Sequence, residues 1–140
     1  MARINSKKKG NKFELDLAHI FTEAVGEEFC RVPSSGSWGT NFRKAGSTIR
    51  SDAQEMLSSD LICPPSFPYS IEAKFYADFL FHGILQGKNA KLDEWTEQCL
   101  RSSIASNKKM LLIIKINRKI TMCCLKLSEN NDIIKKFCKS

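Results

Sequence analysis

Glu72 and Lys74 are the residues of this sequence whose types and spacing best suit chemistry. They lie in the stretch 69–76, YSIEAKFY, whose alternation of apolar and polar residues predicts a strand. On a two-residue period, both side chains point to the same face. A carboxylate beside an ammonium can bind a hard cation and polarise a water molecule, although an exposed salt pair is the plainer interpretation of the triplet.

Asp60 supplies a second carboxylate at a suitable place. It begins a short apolar run, 60–63, which predicts a strand, and a proline-rich turn at 64–68 leads into the strand of Glu72. A hairpin of these two strands brings Asp60 toward Glu72. Because converging carboxylates repel each other, the pair predicts a divalent cation between them. Magnesium suits this site, since it takes oxygen ligands and few carboxylates, and the carbonyl of Ala73 offers another oxygen.

A first helix over 11–24 is predicted to position a third carboxylate, Glu14. Glu14 lies beside Ala18 at the edge of an apolar stripe, where an acid is costly unless it is paired or metal-bound; an exposed carboxylate at the helix start is the alternative. The stripe has helical spacing and consists of Phe13, Leu17, Ile20, Phe21 and Ala24.

The remaining pattern predicts an α/β domain with a central mixed sheet flanked by helices. Strands are predicted at 28–32, 110–114 and 120–127, and helices at 92–104 and 130–137, with a loop or short helix at 78–87. The run 110–114 is continuously apolar, which is typical of a strand buried on both faces. A basic, flexible arm at 1–12 is predicted to precede a single domain at 13–140.

The net charge indicates the class of binding partner, and the cysteine content indicates the cellular compartment. The 140 residues carry 22 Lys and Arg against 15 Asp and Glu, a net charge of +7 that favours a polyanion such as nucleic acid. The six cysteines include no Cys-x-x-Cys pair, so buried free thiols in a reducing cytoplasm are predicted. No stretch suits a membrane span or a signal peptide, which predicts a soluble, intracellular protein.

Four short motifs resemble a known family. Asp60 followed twelve residues later by Glu72-Ala73-Lys74 resembles the PD-(D/E)XK nuclease signature. The stretches 9–17, KGNKFELDL, and 31–37, RVPSSGS, resemble the opening helix and the serine-glycine loop of archaeal-type Holliday junction resolvases. Trp95-Thr96-Glu97-Gln98 resembles phage relatives of that group. The resemblance runs in order from about Lys8 to Ile116 and implies a restriction-endonuclease-like fold.

The resemblance also implies roles for individual residues. Asp60, Glu72, the Ala73 carbonyl and Glu14 would hold magnesium, for which manganese substitutes. Lys74 would orient or deprotonate the attacking water. A serine of the loop would assist, with Ser35 as our assignment and Ser34 and Ser37 left open, and Gln98 would support the site from its helix. Asp52 is a rival to Asp60 but lacks the apolar strand that follows Asp60.

The implied function is a Holliday junction resolvase, a homodimer that makes paired, symmetric nicks in four-way DNA junctions without a small-molecule cofactor. Alternatives are another PD-(D/E)XK nuclease acting on duplexes, ends or flaps, a non-catalytic DNA-binding protein of the same fold, and a structural module. The basic segment 41–59, inserted relative to the compact archaeal pattern, is predicted to cover the DNA. The predicted DNA contacts are Lys8, Lys9, Lys12, Arg31, Ser37, Arg43, Lys44 and Arg50.

Overall fold

The computed structural model describes residues 6–32, 59–78 and 81–137. Its elements follow the predicted order: the predicted loop or short helix at 78–87 contains a short helix, and a 3-10 helix is additional. They are α1 (Ser6–Val25), β1 (Cys30–Arg31), β2 (Leu61–Ile62), β3 (Tyr69–Tyr76), α2 (Phe81–Leu85), α3 (Ala90–Ala105), β4 (Lys109–Ile116), β5 (Thr121–Leu125), a 3-10 helix (Leu127–Glu129) and α4 (Asn131–Phe137).

A mixed sheet of three strands forms the centre of the described fold. β3 runs parallel to β4, and β4 runs antiparallel to β5. The crossover from β3 to β4 passes through α2 and α3, as a parallel connection requires. The predicted α/β class, a mixed sheet flanked by helices as in the restriction-endonuclease-like fold, is confirmed.

The predicted hairpin between the Asp60 and Glu72 strands is wrong in its pairing. β2 pairs antiparallel with β1, with Cys30 opposite Ile62, and forms a separate two-stranded sheet. A backbone hydrogen bond from the Asp60 N–H to the Ile71 carbonyl, 3.1 Å, nevertheless ties the start of β2 to β3. The turn at 64–68 therefore brings Asp60 beside β3 without extending the three-stranded ladder.

Two apolar clusters pack on the opposite faces of β4. Leu111 and Ile113 join the α1 side of the sheet, where Phe13, Leu17 and Ile71 are also buried. On the other face, β4 packs against Trp95 and Cys99 of α3; its residues there are Met110, Leu112, Ile114 and Ile116. The prediction that this strand is buried on both faces is confirmed.

α1 differs from its prediction in start and in phase. It begins at Ser6, so the residues 6–12 that we assigned to a flexible arm are helical. Its buried residues are Phe13, Leu17 and Ala18, whereas Ile20 is 58% exposed. The packed face is thus rotated toward the side that carries Glu14, and the small Ala18 lies buried on it.

The five described cysteines are free thiols. Cys99 is buried as predicted, but Cys30 and Cys123 are exposed, so the prediction of buried thiols is wrong for these two. Burial raises the pKa of the Cys99 thiol to about 12, which leaves it protonated and unreactive at neutral pH. Among the helices of the described ranges, none is both long enough and apolar enough to cross a membrane.

Candidate active site

Glu72 lies on the face of β3 that α3 covers, and it is only 1% exposed. β3 pairs with β4 along its whole length, which fixes alternate residues to opposite faces. Ile71 and Ala73 therefore join the apolar cluster under α1, while Glu72 points toward α3. The interpretation of Glu72 and Lys74 as an exposed salt pair is excluded, because both side chains are largely shielded from solvent.

Asp60 is held at the edge of β3 beside Glu72. Its carboxylate Oδ2 accepts a hydrogen bond from the Ala73 N–H at 2.8 Å, and the residue is buried. The N–H and C=O of one strand residue point to the same side, so the Ala73 carbonyl also points to the Asp60 side, away from the β4 ladder. The geometry thus brings together the two predicted carboxylates and the predicted backbone oxygen.

α3 closes this face with two polar side chains one turn apart. The helix begins after Asn89, whose side chain accepts a hydrogen bond from the Leu92 N–H and caps the first turn. Gln98 and Ser102, four residues apart, face the same way. The Gln98 Nε2 donates to Glu72 Oε2 at 3.2 Å, and the Ser102 hydroxyl donates to Glu72 Oε1 at 3.0 Å.

Lys74 belongs to the same network. Its Nζ donates to Gln98 Oε1 at 3.0 Å and lies 3.5 Å from Glu72 Oε2. The Gln98 side-chain amide therefore joins the two residues, accepting from the ammonium and donating to the carboxylate. Such an arrangement fixes the ammonium beside the carboxylate pair instead of leaving it on a mobile four-carbon chain.

The electrostatics of the carboxylate pair suit a bound cation. Burial is the main reason that the pKa of Glu72 lies well above its ordinary value, and the neighbouring Asp60 raises it further, whereas Lys74 lowers it. A divalent cation would offset the repulsion between the two carboxylates. Two carboxylates and a backbone carbonyl fit a hard ion that keeps several water ligands, as magnesium does.

Glu14 lies near the pair and is bound to a different partner. Arg31 donates from Nε to the Glu14 carboxylate and from Nη2 to the side-chain Oδ1 of Asn11 at 2.8 Å. Burial raises the pKa of Glu14, and Asp60 also raises it, against the lowering effect of Arg31. Within the described ranges, no three His, Cys, Asp or Glu side chains are grouped closely enough to hold a metal ion. Glu14 is therefore not placed as a third ligand.

The predicted DNA contacts divide into two groups. Lys8, Lys9 and Lys12 lie on the first turns of α1, where the Lys9 Nζ is 5.9 Å from the Phe75 ring centroid and Lys12 pairs with Asp16. Arg31 is directed toward Glu14. The other predicted residues of 33–58 lie outside the described residues, namely Ser34, Ser35, Ser37, Arg43, Lys44, Arg50 and Asp52.

Ser102 and Asn11 are the site residues that sequence reasoning missed. A signal for Ser102 was available, because it lies one helical turn after Gln98 and so shares its face. Asn11 gave a weaker signal. It stands three residues before Glu14 on α1, yet its contact with Arg31 depends on how β1 packs against the helix.

Comparisons with known proteins identify the family to which this chain belongs. A family model described as "Phage putative PDDEXK endonuclease" matches residues 5–139. Protein D14 of Escherichia phage T5 is 28% identical over 120 residues, which is 82% of this chain and 67% of that protein. No solved structure matches the chain.

Proposed function

Since the chain belongs to the family of phage PD-(D/E)XK endonucleases, we propose that it is a magnesium-dependent nuclease that resolves four-way DNA junctions. Family membership implies a nuclease that acts on DNA with a divalent metal. The observation that best supports the proposal is the pair of buried carboxylates, Asp60 and Glu72, which meet beside Lys74 and Gln98. An arrangement of this kind is costly for stability and suits phosphodiester hydrolysis.

Each residue of the network has a proposed task. Asp60, Glu72 and the Ala73 carbonyl would hold the ion, which supplies positive charge to the attacked phosphate when bound. Lys74, held by Gln98, orients the attacking water and offsets the negative charge that develops on the phosphate. Gln98 keeps the ammonium and the Glu72 carboxylate at a fixed separation.

Glu14 and Ser35 have supporting tasks in the proposal. Glu14 lies on α1, partly buried near Asp60, and it would approach the ion if Arg31 moved away toward a phosphate of the DNA. Ser35 belongs to the serine-glycine stretch that follows β1 in the sequence, whose hydroxyls and amides suit a phosphate. Both tasks rest on the family resemblance together with the position of β1 beside α1.

Basic residues would guide the DNA to the network. Lys8, Lys9 and Lys12 lie in the opening turns of α1, the same helix that carries Glu14. The proposed contacts at Ser37, Arg43, Lys44 and Arg50 would add to this surface. Since such residues release counterions from the phosphate backbone, DNA binding should weaken steeply with salt.

The junction substrate implies a symmetric assembly. Two nicks related by the two-fold symmetry of a four-way junction require two active sites, which a homodimer supplies. We therefore propose a dimer that acts in the cytoplasm of the infected cell. The phage family supports this location, whereas junction selectivity rests on the resemblance at 9–17 and 31–37.

The experiment that tests this function compares two labelled substrates, a four-way junction and a linear duplex with the same arm sequence. Each is incubated with protein in magnesium, in manganese and in chelator. We expect paired, symmetric, metal-dependent nicks in the junction alone. Equal cutting of both substrates would contradict junction selectivity and leave a less selective endonuclease.

A variant of Lys74 separates cleavage from binding. Lys74→Met should reduce cleavage by roughly 10²- to 10⁴-fold, because it removes the group that orients the water, while junction binding is retained. Glu97→Gln is the matched control, since Glu97 is exposed on α3 next to Gln98. Binding without cleavage by the unmodified protein in either metal would identify a non-catalytic DNA-binding protein.

A further inference from the structure

Ser102 is the residue of α3 whose hydroxyl reaches the Glu72 carboxylate. It is 8% exposed, and its Oγ donates to Glu72 Oε1 at 3.0 Å. The same Oγ lies 3.2 Å from the Gln98 carbonyl, the usual partner of a helical serine one turn earlier. A hydroxyl has a single proton, and a carboxylate is the stronger acceptor, so the bond to Glu72 is favoured.

We propose that Ser102 is a positioning residue that fixes the rotation of the Glu72 carboxylate and so presents it to the divalent ion. The proposal rests on the metal-dependent function proposed above. Ser102 holds Oε1, while Gln98 and Lys74 hold Oε2 from the other end of the carboxylate. Rotation about the terminal bond of Glu72 would therefore break contacts at both oxygens.

The contacts also indicate which oxygen faces the ion. Each carboxylate oxygen has about two acceptor positions. Oε2 accepts from Gln98 and Lys74, whereas Oε1 accepts from Ser102, and the Asp60 carboxyl also contacts the Glu72 carboxyl. Oε1 thus keeps an acceptor position for the ion, and Ser102 determines the direction in which that position points.

Loss of the Ser102 hydroxyl should affect ion binding more than the chemical step. Ser102→Ala leaves Asp60, Glu72 and Lys74 in place but frees the terminal torsion of Glu72, which has a broad energy minimum. Residues that orient a metal ligand typically account for 10- to 100-fold in metal affinity. We therefore expect weaker ion binding, and cleavage that falls most at limiting metal concentration.

Ser103 provides a matched control. It is the next residue of α3, it is 2% exposed, and its hydroxyl donates to the Leu100 carbonyl at 2.8 Å. Ser103→Ala therefore removes an equally buried hydroxyl from the same helical turn without touching Glu72. Ser102→Thr is the conservative variant, because threonine keeps a hydroxyl at the same position.

The test is a titration of Mn²⁺ into the DNA-free protein, followed by electron paramagnetic resonance, with thermal melting as a check of folding. Ser102→Ala should bind Mn²⁺ about 10-fold more weakly, and Ser103→Ala and Ser102→Thr should bind like the unmodified protein. Unchanged affinity in Ser102→Ala, or equal weakening in Ser103→Ala, would overturn the proposal.

A further variant distinguishes failure of this proposal from failure of the proposed function. Glu72→Gln should abolish Mn²⁺ binding at the site whether or not Ser102 matters. If Glu72→Gln loses binding and Ser102→Ala does not, the metal site stands and the role of Ser102 is overturned. If the unmodified protein binds no Mn²⁺, both the metal-dependent function and the role of Ser102 are overturned.

Discussion

A helix covers each face of β3, but the residues on one face are apolar and those on the other are polar or charged. The α1 face carries Ile71 and Ala73 in an apolar cluster with Leu17. The α3 face carries Glu72, which is more deeply buried than Ala73 and is surrounded by Gln98 and Ser102. One strand thus supports a core on one side and a charged network on the other.

The difference separates a face of β3 that stabilises the fold from a face to which we assign the proposed function. Burying apolar area on the α1 face stabilises the fold at about 25 cal/mol per Å². Burying Glu72 beside Asp60 disfavours the ionised pair and requires hydrogen bonds merely to limit that penalty. The network on the α3 face is therefore best explained by binding and catalysis, and changes on the two faces should have separable effects.

The largest expected effect is on cleavage, from Glu72→Gln on the α3 face. Cleavage should fall by more than about 100-fold, because a charged ligand next to Lys74 is removed. Below about pH 4.5, where the Glu72 carboxyl is protonated in both states, the metal-free protein should keep its stability within about 1 kcal/mol, since the amide resembles the protonated carboxyl in shape and hydrogen bonding. Cleavage assays and denaturant unfolding in chelator measure the two effects. A large loss of stability together with activity would remove the distinction between the faces.

The second effect is on stability, from Leu17→Ala on the α1 face. The cavity left in the apolar cluster should lower the free energy of unfolding by about 2–5 kcal/mol, while cleavage per folded molecule at low temperature stays unchanged. Ile20→Ala on the same helix is the control, because Ile20 is exposed and its truncation should change stability by less than about 0.5 kcal/mol. Equal effects of the two variants in denaturant titrations would contradict the observed packing of α1.

A smaller effect should appear in the pH dependence of the metal-free protein. The pKa of Glu72 is raised from 4.5 to about 8 in the folded state, so folding favours the protonated carboxyl. The corresponding stability is fully present below pH 4.5 and is lost as pH rises through about 8. Thermal melts in chelator should show this decline in the unmodified protein, and Glu72→Gln should reduce it. An identical decline in both proteins would assign it to other groups.

The smallest effect should come from an ion pair on the surface of α1. Asp16→Asn removes the partner of Lys12, and both side chains of this pair are well exposed. Unfolding stability should change by less than about 1 kcal/mol, because solvent screens such pairs. A larger change in denaturant titrations would show that exposed charges contribute to stability on the same scale as the apolar face of β3.

The faces of β3 were predictable from the sequence because strand geometry alternates strictly. Ile71 and Glu72 could be assigned to opposite sides without knowing what covers them. The burial of Glu72 was not predictable in this way, since it depends on Gln98 and Ser102, which lie 26 and 30 residues away along the chain. A polar strand face is typical of solvent exposure, and only the packing of α3 reverses that expectation.

The phase of α1 shows a second limit of sequence reasoning. The apolar pattern favoured Ile20 over Ala18, because isoleucine is the more hydrophobic residue. In the structure the small Ala18 is buried and Ile20 is exposed, so the hydrophobicity of single residues did not decide the phase. The pairing of β2 with β1 was missed for a similar reason, because a run of two to four apolar residues does not specify its partner.

The central claim, that Asp60 and Glu72 hold a divalent ion on the α3 face, is tested most directly by diffraction from crystals grown with manganese. Anomalous density would locate the ion without reference to activity. The account predicts a peak between the carboxylates of Asp60 and Glu72, within reach of the Ala73 carbonyl, that is absent in Glu72→Gln crystals. A peak elsewhere, or none at this position in the unmodified protein, would contradict it.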